Sequence, residues 1–213
     1  MKISINANRC EPSPMRKFHP LAVKAKEAGK TIYHLNIGQP DLTTPQAYYD
    51  AIRMFDHGTL AYAESPGMPL LIDSIRDYYK KIGVDLEPED VLITTGGSEA
   101  LLLTFLSILD PYTEVIIPEP YYPNYTTFVH AAGGRIRALH TSPEEGYRYA
   151  DRKRIEKLIT NNTRAIMITN PGNPTGVVLT QDEMRMIADI AKRHGLFLIC
   201  DEVYREFCYD DKF

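Results

Sequence analysis

Three short stretches hold residue types that can bind and polarise a small molecule: TTGGSEALLL at 94–103, NPGNPTG at 170–176 and ICDEVY at 199–204. In the first, Gly96 and Gly97 allow close backbone approach, and the free N–H groups of a helix beginning there would attract phosphate, with the Ser98 hydroxyl as a further donor. Glycine pairs before helices are also ordinary turns. In the second, Pro171 and Pro174 fix φ, Gly172 and Gly176 permit positive φ, and Asn170 and Asn173 can bond their own turn. Read alone, the heptad is a stiff turn; the sharper reading is a rigid loop holding the Asn173 amide against a ligand. In the third, Asp201, Glu202 and Tyr204 follow four apolar residues. A carboxylate there is either capped and structural or placed to meet a cation.

Each stretch needs an element to hold it. From about Glu89 onward, short apolar runs alternate with amphipathic segments. The runs 91–94, 115–117, 135–139, 165–168 and 196–199 are expected strands, four of them apolar enough to be covered on both faces. Helices are expected after Gly97, over 151–160 and over 180–194, where Thr180 and Glu183 have capping-box spacing and Gly195 supplies the stop. Strand–helix–strand repetition implies a mostly parallel sheet with right-handed crossovers in a three-layer α/β/α fold. Upstream, helices are expected over 21–28, from Pro45 to about His57 and over 70–82, and YHLN at 33–36 reads as a strand leading into a loop.

In open α/β sheets ligands bind at the carboxyl ends of the strands. A phosphate cradle, an amide and a carboxylate at one such edge suit a phosphorylated, nitrogen-bearing aromatic cofactor. A rival reading takes the strand before Asp201 as the magnesium strand of a P-loop ATPase. That reading requires G-x-x-x-x-G-K-[ST], and although Gly29-Lys30-Thr31 is present, the position five before Gly29 is Lys24. The P-loop reading fails.

The bulk composition narrows the class further. Across 213 residues, 44% hydrophobic and 24% charged residues with a net charge of −4 describe a chain able to bury a core. Nothing in this balance points to nucleic acid or a membrane surface. The N-terminus MKISINANRCEPSP has no apolar signal region, so the cytoplasm is the expected compartment. Cys10, Cys200 and Cys208 show no metal spacing, and Cys200 within LFLIC reads as core filler. No metal is expected. His34, His130, His140 and Glu119 have no motif and are read as structural or solvated.

The motifs NIGQPD, YAESPGMPLL, TTGGSEAL, PEPYYPNY, NPGNPTG and DEVYREF, in this order over residues 32–213, resemble the class I/II aminotransferases of fold type I, which use pyridoxal phosphate. By that resemblance Asp201 pairs with the pyridine nitrogen of the cofactor. A carboxylate in contact raises a cation's pKa by about 1–3, or ~1.4–4 kcal/mol in favour of the protonated ring. Asn173 and Tyr204 are implied donors to the ring's phenolic oxygen, Tyr122 the aromatic stacked over the ring, and Gly97, Ser98 and Glu99 the phosphate loop, Glu99 through its backbone alone. Tyr62 is implied to reach the phosphate of a neighbouring subunit, hence a homodimer, and Gly38 to lie in the loop covering the substrate carboxylate. The implied partners are an amino acid and a 2-oxo acid, exchanged in amino-acid metabolism.

The resemblance also implies that residues 1–44 form an arm and part of a small domain, and residues 45–213 an incomplete cofactor-binding large domain. The family's Schiff-base lysine lies beyond DEVY; Lys212 is too early and lacks its serine-rich context, so the chain reads as the N-terminal half of a member, inactive by itself. A C–S lyase of the same fold, or a non-catalytic module retaining it, remain alternatives. A nicotinamide-dependent dehydrogenase is disfavoured because no G-x-G-x-x-G follows a strand and opens a helix.

Overall fold

The computed structural model describes residues 1–10, 16–36, 38–56 and 58–209, and Lys212 lies outside them. The chain forms two compact units, one of Met1–Lys17 with Thr95–Phe213 and one of Phe18–Thr94. The chain passes between the two units after Lys17 and after Thr94.

The larger unit is built on four strands, β1 (Glu114–Glu119), β2 (Arg135–His140), β3 (Thr163–Thr169) and β4 (Phe197–Asp201). All neighbouring pairs are parallel, in the order β2-β1-β3-β4. Its helices are α1 (Ile5–Arg9), α5 (Gly97–Ile108), α6 (Asn124–Ala131), α7 (Arg152–Leu158) and α8 (Gln181–Arg193). Successive strand residues point to opposite faces, and the burial follows that alternation. Ile116, Ile166 and Ile168 pack with Ile155 of α7 and with Ile187, Ile190 and Ala191 of α8. Val115, Ile117, Ala165 and Met167 pack with Phe105 of α5 and with Tyr125 and Val129 of α6. Helices therefore cover both faces, giving the three-layer fold.

Helix boundaries follow local chemistry. Thr180 and Glu183 form the capping box of α8, with Thr180 N–H donating to Glu183 Oε2 at 2.7 Å. Asp151 caps α7 by accepting from Arg154 N at 3.0 Å. Arg152 then ties α7 to Asp189 of α8 at 2.7 Å.

The smaller unit contains α2 (His19–Glu27), α3 (Gln46–Met54), α4 (Pro69–Lys80) and a single 3₁₀ turn, Pro88–Asp90. Gly67, at φ +123°, lies so close to Ile93 that an added Cβ would sit 2.2 Å from Ile93 Cγ1. The neighbouring Pro66 carbonyl accepts from Ile93 N at 2.8 Å.

Several expectations are corrected. Residues 91–94 are not a strand: Ile93 N–H pairs with Pro66 rather than with a ladder, and Leu92 is exposed. The phosphate-loop sequence is therefore not preceded by a strand. Residues 33–36 form no strand and are largely exposed, while Ile37 and His57, which fell within the expected loop and helix, lie outside the described residues. Strand β4 is the edge of this sheet and is only partly covered: Leu198 and Ile199 pack on opposite faces, but Phe197 is 59% exposed. Cys200 on that edge strand is exposed rather than core filler. Helices α1 and α6 are additions to the expected set.

Candidate active site

The strand order locates the site. From β1 the chain crosses by α6 to β2 on one side, then returns by α7 to β3 on the other side of β1. The sense of progression thus reverses between β1 and β3, and a crevice forms outside the carboxyl ends of such strands. A cleft lies there, lined from β1 by Glu119, Pro120 and Tyr121 and from β3 by Thr169, Gly172 and Asn173. Its wall includes Tyr149, only 6% exposed, whose hydroxyl is buried without a hydrogen-bond partner.

Asp201 ends β4, and its register partner across the ladder is Thr169, which ends β3. Both lie at odd positions, on the face where Tyr125 of α6 is buried. The Tyr125 hydroxyl donates to Asp201 Oδ2 at 2.6 Å and lies 2.9 Å from Thr169 Oγ1. Burial, then the bond to Asp201, raises the Tyr125 pKa far above the ordinary phenol value, so the ring keeps its single proton. Since that proton goes to Asp201, the Thr169 hydroxyl must donate to the Tyr125 oxygen. Asp201 Oδ1 accepts from Val203 N at 3.1 Å. A carboxylate has about four acceptor directions, so these two bonds fix its orientation and leave capacity for a cationic donor.

The 170–176 loop is fastened to the same strand end, Asn170 N donating to the Asp201 carbonyl at 3.1 Å. The two asparagines divide the work. Asn170 Oδ1 accepts from the backbone of buried Leu179 at 2.9 Å, closing the loop on itself. Gly172 closes it further: its N–H reaches Val177 O at 2.8 Å, and an added Cβ would meet Thr175 Oγ1 at 2.8 Å. Gly176 turns the chain at φ +70°. The peptide bonds preceding Pro171, Pro174 and Pro120 are cis. Asn173 is left to point at Tyr204, donating to its hydroxyl across a long 3.4 Å. That pair retains one amide N–H and one phenolic O–H, two donors for an anionic oxygen.

Tyr122 stands edge-on to Tyr125, ring centres 5.5 Å apart, and its hydroxyl accepts from Asn124 Nδ2 at 2.7 Å. Gly97, Ser98 and Glu99 open α5, following Gly96 at φ +79°. The Glu99 side chain accepts from Thr95 N at 2.5 Å, and the exposed residues Gly97, Ser98 and Glu99 supply the first-turn amides that have no partner within the helix. Further along α5, Leu101 and Phe105 pack in the same cluster as Tyr125. The larger unit therefore carries Asp201, Asn173, Tyr204, Tyr122 and the Gly97–Glu99 turn. Tyr62 and Gly38 belong to the smaller unit, both exposed in segments without regular structure.

Tyr125, Thr169 and Asn170 escaped the sequence reading as site residues. Their signal was present in register: Thr169 follows Met167 by two on a strand, and Tyr125 follows Tyr122 by three at a helix start. Three of the groups without a motif, His130, His140 and Glu119, have partners. His140 Nδ1 pairs with the Glu119 carboxylate beside the cleft, and His130 Nδ1 lies 3.1 Å from the Arg9 carbonyl. Both contacts join residues distant in sequence, which no local motif marks.

The sequence pattern of the family Aminotransferase class I and II matches residues 30–213. The chain belongs to this family. It is 33% identical over 210 residues to a probable aspartate/prephenate aminotransferase of Thermus aquaticus, covering 98% of this chain and 55% of that protein. It is 36% identical over 201 residues to an aspartate aminotransferase of Pyrococcus horikoshii, covering 93% of this chain and 50% of the relative. Among solved structures, the aspartate aminotransferase of Thermus thermophilus with maleate superposes with a TM-score of 0.91 at 31% identity, over 100% of this chain and 56% of that one. The chain thus spans about half the length of the curated relatives it matches. Among the described residues, no helix is long and apolar enough to cross a membrane.

Proposed function

We propose that the protein carrying this chain is a pyridoxal-phosphate-dependent aminotransferase that moves an amino group between an amino acid and a 2-oxo acid. The observation that carries this reading is the fixed Asp201 carboxylate, held by Tyr125 and Val203 at a strand tip to which the Asn173 loop is itself fastened. The donor set fits the cofactor group by group. Asp201 offers acceptor capacity to a protonated ring nitrogen, Asn173 and Tyr204 offer two donors to a phenolic oxygen, and the α5 N-terminus offers amides to a phosphate. When bound, the cofactor supplies an electron sink for the substrate's α-carbon.

The residues' work is then electrostatic. Asp201 keeps a proton on the ring nitrogen, and Tyr125 keeps Asp201 aimed. Tyr122 offers a flat apolar surface, and Gly97 and Ser98 bind the dianionic end. Tyr62 serves the phosphate site of a second subunit in a homodimer, and Gly38 the substrate carboxylate. The compartment proposed is the cytoplasm, and the role amino-acid metabolism. Because several relatives bear aspartate or aromatic amino acids in their names, these are the first donors to test.

The test is amino transfer by the intact protein from aspartate or an aromatic amino acid to 2-oxoglutarate, followed as glutamate formed. Transfer dependent on added pyridoxal phosphate supports the reading. Release of ammonia or sulfide without glutamate contradicts it.

A further inference from the structure

Helix α6 positions Tyr125, and the N-terminal helix α1 is built against α6. Ser4 caps α1 by accepting from Ala7 N at 3.1 Å. Within Ser4–Cys10, only Asn6 and Cys10 are partly buried, and their i, i+4 spacing puts both on one helix face. That face meets the last turn of α6. Asn6 Nδ2 donates to the Ala131 carbonyl at 3.3 Å, and Cys10 Sγ lies 3.6 Å from the Thr127 carbonyl. In return, the His130 ring donates through Nδ1 to the Arg9 carbonyl at 3.1 Å. The last carbonyls of a helix have no partner within it, and while those of Phe128, Val129 and His130 are met by the backbone just beyond the helix, that of Ala131 takes its donor from Asn6 of α1. No residue of α1 is fully buried, so polar bonds rather than apolar area hold the contact.

We propose that Ser4–Cys10 is a clip: it fixes the end of α6 and, through that helix, the direction in which Tyr125 holds the Asp201 carboxylate. Asn6 is then a positioning residue for the cofactor site, although it touches neither Asp201 nor Tyr125. Helix α6 has only eight residues, too short to be stable by itself, so its order depends on what its ends and its buried face contact. The buried face is Tyr125 and Val129, and the clip acts at the C-terminal end.

The consequence for the cofactor rests on the proposed function, whereas the effect on α6 does not. The test is a double-mutant cycle in the intact protein with Asn6→Ala and Tyr125→Phe, reading hydrogen exchange of the 125–133 amides and the pyridoxal phosphate dissociation constant by absorbance. Asn6→Ala should speed exchange over 125–133 and weaken the cofactor about two- to tenfold, the range for one hydrogen bond. In the Tyr125→Phe background the same substitution should still speed exchange but leave cofactor affinity unchanged. Ser4→Ala, which loosens α1 without touching α6, should reproduce the Asn6→Ala pattern. Unaltered exchange over 125–133 overturns the clip. An equal loss of affinity in both backgrounds overturns its action through Tyr125. An unsubstituted protein that binds no cofactor overturns the functional reading instead, with exchange still deciding the clip.

Discussion

Tyr125 and Asp201, 76 positions apart in sequence, meet through a 2.6 Å hydrogen bond in which the phenol donates to the carboxylate. The bond joins the helix after β1 to the tip of β4 and runs beneath the cleft where the strand order reverses. Tyr125 is 1% exposed, so its hydroxyl has no water to turn to if the bond is lost. Replacing Tyr125 by Phe keeps the ring and removes the bond to the charged Asp201 together with the one accepted from Thr169. Urea unfolding should show a loss of about 1.5–3 kcal/mol. No loss would mean that the carboxylate is held by other contacts.

Two buried phenols make a signature in alkali. Burial, followed by the bond to Asp201, raises the pKa of Tyr125, and burial raises that of Tyr149. Both stand above the unfolded value near 10. A group with a raised folded pKa stabilises the protein fully below its unfolded pKa and loses that contribution as pH climbs toward the folded one. Stability should therefore hold to about pH 10 and fall beyond it by roughly 1.4 kcal/mol per pH unit for each phenol. Denaturant titrations from pH 8 to 11 check this, and Tyr149→Phe should remove one phenol's share of the slope.

The two asparagines of the 170–176 loop should separate stability from binding. Asn170→Ala leaves the amide of buried Leu179 without its acceptor and should cost about 1–3 kcal/mol in urea. Asn173→Ala removes only a 3.4 Å contact to the exposed Tyr204 and should cost within ~0.5 kcal/mol. Cofactor affinity should respond in the opposite order for Asn173, falling although the fold is intact. Equal stability losses for the two variants would contradict the division of roles.

Capping supplies a control remote from the cleft. Thr180→Ala breaks the capping box of α8 and should cost roughly 0.5–2 kcal/mol by thermal or urea unfolding. Cofactor affinity should be unchanged. A coupled loss of affinity would place α8 in the site's support, contrary to its position on the opposite face of the sheet from Tyr125.

What could be read from the sequence, and what could not, follows the range of the forces involved. Strands β1 to β4 and helix α8 were legible because apolar runs and the Thr180–Glu183 box act within a few residues. The apolar run 91–94 misled for the same reason: periodicity records that residues wish to be buried, not that a neighbouring strand exists to pair with them. Cys200 misled likewise, since its strand is the sheet edge and only partly covered. The Asp201, Asn173 and Tyr204 set came from motifs, but the Tyr125 bond that holds Asp201 depends on register between β3 and β4 and on which face α6 covers. Helix α1 has no buried apolar residue and so left no periodic trace.

The central claim is that Asp201 keeps a proton on the ring nitrogen of pyridoxal phosphate. Nitrogen-15 NMR of the intact protein loaded with ring-labelled cofactor reads that proton directly. The unsubstituted protein should give the shift of a pyridinium at neutral pH, and Asp201→Asn that of a neutral pyridine. A neutral ring in the unsubstituted protein, or the same shift in both, would contradict it.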